Sequence, residues 1–332
     1  MDNITATNGT NTNGTPLVVI IIKSVILILI SIAAVIGNTL VIIVIYQRNS
    51  AQTVTNYLII NLAIIDIITG LFRLPLYVVN IIADRQYYNE VGCNIHSFIG
   101  GICFIGSVHS LMWIAIIRYL VVVKSKKWRI KPKHAYYYIA IIWLTCIIIS
   151  SWSLLGWSKN VYLDIENGCI PSWDGSGISG IIKGVLEANL DFAIPLIIIC
   201  SCYLLIFLYL RRNQRRIAHR SFRIPGIVDK TKVTLTMFIV FVGFLICYSS
   251  WSLLVFIVMP IARVDIPDAV YFTASALVFC NSFINPILYG YLSKNFRKGY
   301  KQALRKIFRC DSQATIENIS IVEANVKLTE GT

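Results

Sequence analysis

Seven stretches of this chain are long and apolar enough to cross a lipid bilayer as helices. They run roughly over Leu17–Tyr46, Val54–Ile82, Cys93–Val123, Ala135–Gly156, Ile178–Leu210, Val233–Met259 and Ala269–Leu292. A helix of about 20 residues covers the ~30 Å hydrocarbon core. In hydrocarbon every backbone N–H and C=O must find a partner inside the protein, which leaves only helices and closed barrels. Barrel strands alternate apolar and polar residues, whereas these runs are continuously apolar. Composition agrees: 56% of the 332 residues are hydrophobic and 14% charged, against about 45–50% and ~25% in soluble domains. A soluble enzyme and a disordered chain are excluded. The fold class expected is an all-α membrane protein, a seven-transmembrane helix bundle.

The net charge of +14 is placed unevenly. Lys124–Lys133 carries six Lys/Arg, Arg211–Lys232 eight and Lys294–Arg309 seven, while the alternate loops hold Arg85, Lys159 and Arg263 among a larger number of acids. Basic loops mark the cytoplasmic side, so the N-terminus is expected outside and the C-terminus inside. Because the charge lies in short juxtamembrane segments, anionic lipid headgroups are its expected partner, not nucleic acid.

Residues 1–16 form a polar tail with three glycosylation acceptors, at Asn3, Asn8 and Asn13. No basic start followed by a short apolar core and cleavage site is visible, so no cleaved leader is expected. The expected organisation is a glycosylated extracellular tail over 1–16, the bundle over 17–292, a cytoplasmic amphipathic helix over 293–310 and a cytoplasmic tail over 311–332.

Six of the nine cysteines fall inside spans, where a thiol behaves as a small apolar group. Cys93 and Cys169 both face the oxidising side. A bridge between them would pin the loop over the bundle mouth; two free thiols are the alternative. Cys310, after the last span, is a candidate for palmitoylation.

Ionisable groups within a span are costly and point to function by default. Asp66 lies mid-span, and Ser107, Asn281, Asn285 and Asn38 occupy mid-depth positions elsewhere. Such oxygens suit a hard monovalent cation or water; a polar helix–helix contact is the plainer use. Pro286 inside the seventh run frees a carbonyl and bends the helix. Arg118 sits at the cytoplasmic end of the third, where a snorkelling arginine would also sit. No nucleophile–base pair or metal cluster stands out, so no enzyme is expected, and His109 reads as a packed, hydrogen-bonded histidine.

In order and spacing these features resemble the rhodopsin-like (class A) G-protein-coupled receptors over roughly Leu17 to Cys310. The match rests on Gly37-Asn38, Asn61-Leu62-Ala63 with Asp66, and Cys93 placed 25 residues before Arg118-Tyr119. It continues through Trp143, Pro195 with Tyr203 eight residues on, Phe244 and Cys247, and Asn285-Pro286-Ile287-Leu288-Tyr289, followed by a basic amphipathic segment with Phe296. The resemblance implies a plasma-membrane receptor whose extracellular agonist favours outward movement of the sixth span and opens a cleft for a heterotrimeric G protein. It implies coupling and switch roles for Arg118, Tyr203, Phe244, Pro286 and Tyr289. Asp66, Ser107, Asn281 and Asn285 would form a sodium pocket; no other cofactor is expected. Arrestin and receptor kinase are implied partners through Ser312, Thr315 and Ser320 of the tail.

Three departures from the family pattern bear on function. The acid before the third-span arginine is Ile117, and the acid position at the base of the sixth span is Lys230. Arg118 therefore lacks both usual restraints, and raised basal activity is expected. The sixth-span motif reads Cys247-Tyr248-Ser249-Ser250, without tryptophan or proline; a serine pair can still bend a helix. The third span has no Asp or Glu, with Gly100 at the amine-anchor position, and the seventh has no Lys. A retinal-binding opsin and a typical amine receptor are both disfavoured.

Candidate ligand-facing residues are Arg73, His96, Glu187, Asp191, Tyr248, Trp251, Tyr271 and Ser275. Glu187 and Asp191, four apart, share a helical face and would attract a basic group; Arg73 and His96 would suit an anion. A peptide is the favoured ligand. The competing readings are a receptor fold that no longer signals and, behind it, a seven-helix transporter, for which the two related halves expected of many transporters are missing.

Overall fold

The computed structural model describes residues 14–47, 53–124, 130–163, 165, 167–172, 178–218, 225–254 and 267–305. Asn3, Asn8, Asn13, Cys310, the tail phosphorylation candidates and the Lys230 side chain lie outside them. The seven expected spans are present as helices α1 (Leu17–Tyr46), α2 (Val54–Ala83), α3 (Glu90–Val122), α4 (His134–Ser150), α5 (178–218), α6 (Pro225–Leu253) and α7 (Asp268–Leu292). Six are long and apolar enough to cross a membrane; α4, at 17 residues, is the shorter apolar helix. An eighth helix, α8, runs over 294–305. Between α4 and α5 an antiparallel hairpin, β1 (Lys159–Leu163) and β2 (Gly168–Ser172), pairs Tyr162 with Cys169 and adds a small sheet to the all-helical plan.

The fourth span was expected to reach Gly156, and its helix stops at Ser150. Beyond it the ladder tightens, with Trp152 N–H bonding Ile149 O three residues back at 3.0 Å, and Ser153 Oγ meets the helix-end carbonyl of Ser150 at 3.4 Å. Gly156 then takes φ +84°, which side chains disfavour, and Trp157 N–H bonds back to Trp152 O.

Two spans widen for one turn ahead of a proline. In α2, the Leu74 N–H reaches Thr69 O, five residues back, within a π turn over Thr69–Arg73. The next bond in that ladder would come from residue 75, which is Pro75 and has no N–H. Gly70 O is thereby left without its donor, and Ser31 Oγ of α1 supplies one at 2.6 Å. In α5 the same device recurs over Asn189–Ala193: Ile194 N–H reaches Asn189 O, and Pro195 withholds the following bond from Leu190 O. His109 Nε2 of α3 lies 3.3 Å from that oxygen and donates to it. The expectation of a packed, hydrogen-bonded His109 thus acquires a specific purpose.

A third proline, Pro286, lies inside α7 and withholds the ordinary bond from Ser282 O. Asn38 Nδ2 donates to that oxygen at 2.7 Å and to Ala34 O of its own helix at 2.8 Å. Gly37 makes the approach feasible, since a Cβ there would stand 3.0 Å from Pro286 Cγ. Deeper in the bundle, Trp143 Nε1 donates to Asn61 Oδ1 at 2.9 Å and Asn61 Nδ2 to Ser110 Oγ at 2.9 Å, joining α4, α2 and α3.

The hairpin is fastened to one end of the bundle, which we call the hairpin end. A disulfide joins Cys93 at the start of α3 to Cys169 in β2, with Cα atoms 5.4 Å apart. Asn160 in β1 reinforces it: its Nδ2 donates to Asn94 Oδ1 at 2.8 Å, and its Oδ1 accepts from Ser97 Oγ at 2.7 Å. Nearby, Asn80 Nδ2 donates to Asn167 O at 2.9 Å and Tyr88 Oη at 2.7 Å, and burial pushes the Tyr88 phenol up to about 12, so it stays neutral. At the opposite end α8 packs under α7: Phe296 stacks on Tyr289 with centroids 5.3 Å apart, and Tyr300 Oη donates to Pro286 O at 3.0 Å. Burial raises the Tyr300 phenol well above its ordinary range, which keeps this donor protonated.

Two stability outcomes are expected. Asn38→Ala leaves Ser282 O buried without a donor and should lower stability by about 1–3 kcal/mol. In Asn38→Ala/Pro286→Ala the backbone donor returns, so the double variant should lose less than the two single losses added together. Melting of the purified protein in detergent measures both. Cys169→Ser opens a link spanning 76 residues, worth at most about 4.5 kcal/mol by chain entropy, an upper bound because the helices stay inserted. Its melting temperature should fall, and reductant should then have little further effect.

Candidate functional site

Three layers of polar and aromatic groups lie along the bundle axis. Nearest the hairpin end, Arg73 closes the wide turn of α2, about 10 Å of helical rise from Asp66. Its guanidinium lies over the Phe279 ring of α7 at 5.1 Å. A Cβ on Gly100 of α3 would stand 3.4 Å from Arg73 Nε, so the glycine at the amine-anchor position makes room for this arginine. Phe279 in turn meets Tyr77 edge-on at 5.0 Å, and Tyr77 packs on the His96 ring at 5.3 Å. His96 is buried beneath the hairpin: its Nδ1 lies 3.2 Å from the Cys169 nitrogen and 3.3 Å from the Cys169 carbonyl oxygen. Ser275 and Tyr271, both buried on α7, complete this side, with Ser275 bordering a narrow cavity beside Tyr77, Phe279, Ile165 and Asn167.

Across the bundle, Glu187 is buried and Asp191 half-buried on α5, close enough to interact electrostatically. Asp191 lies in the second wide turn, and its Oδ1 is buried without a hydrogen-bond partner. Glu187 and Trp251 each have an interaction within the protein. The eight ligand candidates therefore fall into two groups of opposite charge. Arg73, His96 and Ser275 gather around the Tyr77–Phe279 pair, and Glu187 and Asp191 stand on α5. Tyr248 lies between, stacked on Phe244 at 4.4 Å and tilted against Phe104 at 5.2 Å. Phe192 joins this cluster at 6.2 Å from Phe104. The serine pair beyond Tyr248 bonds back within α6, Ser249 Oγ to Ile246 O at 3.2 Å and Ser250 Oγ to Cys247 O at 2.8 Å, as a serine-based bend requires.

At mid-depth Asp66 is fully buried, and its Oδ2 accepts from Asn285 Nδ2 at 2.9 Å. Ser282 also hydrogen-bonds this carboxyl. Oδ1 is buried without a partner. Ser107 and Asn281 are buried. The structure thus joins Asp66 to Asn285 directly, and an oxygen-rich set with one unused carboxylate oxygen fits a hard cation. Ser282 was not picked out from the sequence, where it looked like any other small polar residue of the span.

At the end opposite the hairpin Arg118 is 7% exposed, with Nε buried and unpartnered. Tyr203 of α5 lies within its electrostatic reach, and the adjoining Ile117 is buried in the apolar core. Among the described residues no carboxylate pairs with Arg118; the only ion pair is Lys23–Asp268 at 3.1 Å, near the hairpin end. Tyr289 is buried beside α8 with its hydroxyl unpartnered. Phe244 is buried in the apolar core between these two ends. Tyr203 and Phe241 stack at 6.0 Å, so α5 and α6 meet here through aromatic contacts.

Comparison with known proteins places this architecture. The model of the "7 transmembrane receptor (rhodopsin family)" matches residues 37–289, well over half of the chain. Similar proteins include somatostatin receptor type 5 of Bos taurus, 31% identical over 277 residues, covering 81% of this chain and 72% of that protein. Neuropeptide Y receptor type 6 of Mus musculus is 26% identical over 332 residues, covering 95% and 89%. Melatonin receptor type 1B of Rattus norvegicus is 28% identical over 289 residues, covering 84% and 78%. The crystal structure of squid rhodopsin superposes with a TM-score of 0.78 at 20% identity, covering 90% of this chain and 89% of its own, which speaks for the fold alone. With the family model matched across all seven spans, the chain belongs to the rhodopsin family of seven-transmembrane receptors, membrane signalling proteins rather than enzymes.

Proposed function

We propose that this receptor binds an extracellular ligand at the hairpin end and activates heterotrimeric G proteins at the Arg118 end, with the N-terminus outside the cell and the C-terminus inside. The observation that carries this reading is the buried Arg118 guanidinium. It stands at the basic end of the bundle, beside Tyr203, with no carboxylate partner among the described residues. A guanidinium with unused donors suits a carbonyl or carboxylate brought by a partner protein once α6 moves aside. With no acid paired to Arg118 among the described residues and Ile117 in the adjoining position, a restraint on that movement is missing, so basal activity is raised.

Asp66 supplies a counterweight. Its unused Oδ1, with the buried Ser107, Asn281 and Asn285 as the other oxygen donors, would hold sodium and favour the resting arrangement. Phe244 and Tyr248, stacked face to face, would carry movement at the ligand end toward Tyr203, with Pro286 and Tyr289 yielding in α7. Receptor kinase and arrestin would act on the tail. A peptide is the favoured ligand: Glu187 and Asp191 would take a basic side chain, and relatives named as somatostatin and neuropeptide Y receptors support it. A receptor fold that no longer signals is the competing reading, and it rests on Ile117, Tyr248 and Ser250.

Ligand-free activation of each Gα class, in cells expressing the wild type and Arg118→Ala at matched surface level, separates the two. Activity above background in the wild type and its loss in Arg118→Ala is the expected result. Silence of the wild type in every class would go against raised basal activity and strengthen the non-signalling reading. In membranes, replacing potassium by sodium should lower the basal signal of the wild type. Asp66→Asn should remove that sensitivity; an equal sodium response in the variant would dispose of the sodium pocket.

A further inference from the structure

Arg73 is a half-buried charge with no counter-charge among the described residues. A guanidinium inside a span is costly unless it is paired or faces a polar cavity. Its surroundings are Phe279, Gly100 and the aromatic rings around His96, and the one ion pair among the described residues lies elsewhere. Its Nε is buried and makes no hydrogen bond. The cation–π contact with Phe279 offsets part of the cost of its partial desolvation.

Two further buried groups nearby are also unused. His96 Nδ1 faces both the N–H of Cys169, at 3.2 Å, and its carbonyl oxygen, at 3.3 Å, while Nε2 is buried and has no partner. Ser275 Oγ is buried without a partner and borders the same cavity as Tyr77 and Phe279. Around one aromatic pair the fold therefore gathers three unpartnered polar groups, a guanidinium nitrogen, an imidazole nitrogen and a hydroxyl, with no acceptor for them among the described residues. Buried donors are ordinarily satisfied, and each exception calls for an explanation.

The geometry points to an anion site: we propose that the ligand of this receptor carries a carboxylate or comparable acidic group that seats on Arg73, with His96 Nε2–H and the Ser275 hydroxyl as its further donors. This rests on the receptor reading above and narrows it. A planar carboxylate matches the fork of a guanidinium and takes two parallel bonds from it. The cavity beside Ser275 is only about water-sized, so the acidic group seats at the Arg73 fork itself and the remainder of the ligand lies toward Tyr248 and the acidic pair on α5. The acid has two chemical sources, the free C-terminus of a peptide and the head of an aliphatic acid.

The test uses melting of the full-length receptor in nanodiscs, which needs no signalling and so fails or succeeds independently of G-protein coupling. The probes are decanoate against decanol and decylamine, and a short apolar peptide with a free C-terminus against its C-terminal amide. At least one acid should raise the melting temperature saturably, by about 5 °C at roughly a hundred-fold excess over Kd, while its uncharged and cationic counterparts do not. Decanoate acting alone identifies an aliphatic acid, and the free-ended peptide acting alone identifies a peptide terminus. Arg73→Gln should abolish the shift, and Arg73→Lys, which keeps the charge and loses the fork, should weaken it. Without any probe, Arg73→Gln should melt no lower than the wild type, because it removes a half-buried charge that pairs with no acid among the described residues. Three results would each overturn the proposal: no response of the wild type to either acid, an equal response in Arg73→Gln, or loss of folding in Arg73→Gln, which would mean the charge has an internal structural task.

Discussion

A proline inside a membrane helix removes the N–H that an earlier carbonyl would have used, and hydrocarbon offers no water in exchange. The orphaned oxygen must then be met by another helix. This chain meets the demand three times with side chains from neighbours: Ser31 serves Gly70 O, His109 serves Leu190 O and Asn38 serves Ser282 O. Each bond is a cross-helix fastening at a defined depth, so the irregularities that would weaken isolated helices hold α1 to α2, α3 to α5 and α1 to α7. A packed apolar seam has no comparable means of setting register, because lipid tails are as apolar as the helices themselves.

The two wide turns also decide where charge can sit. Inserting one residue per turn changes the direction in which the following side chains project. Arg73 ends one such turn and Asp191 lies within the other. They come to rest on different sides of the hairpin end, one against Phe279 and Gly100, the other beside Glu187. Opposite charges that could have neutralised each other are held apart, and each keeps a buried polar atom without a partner.

Much of this was legible in the sequence. Continuous apolar runs marked all seven spans, because a helix in lipid must be apolar around most of its circumference. Asp66, Asn285 and the disulfide cysteines were found through their type and depth, and the structure joins them as Asp66–Asn285 and Cys93–Cys169. The end of α4 was misplaced because the chain passes into tight turns after Ser150 and closes at Gly156 while the residues around them remain apolar. The β hairpin is five residues per strand and gave no periodic signal long enough to read. Ser31 and Ser282 were passed over because their importance comes from a proline elsewhere in the fold. That Arg73 and His96 share one aromatic pair, apart from Glu187 and Asp191, likewise depends on the π turns.

The proline–donor arrangement also has a consequence for descent. A helix that lost Pro75, Pro195 or Pro286 would regain its backbone bond, and the donor opposite would then have nothing to serve. A helix that lost the donor first would carry an unsatisfied oxygen through every intermediate generation. Drift at these positions should therefore proceed by paired replacement, Ser31 with Pro75, His109 with Pro195 and Asn38 with Pro286, with proline as the member that leaves first. Related lineages should hold such a pair whole, lack it whole or keep the donor alone, and should seldom keep the proline without its donor, even where the residues between them have changed beyond alignment.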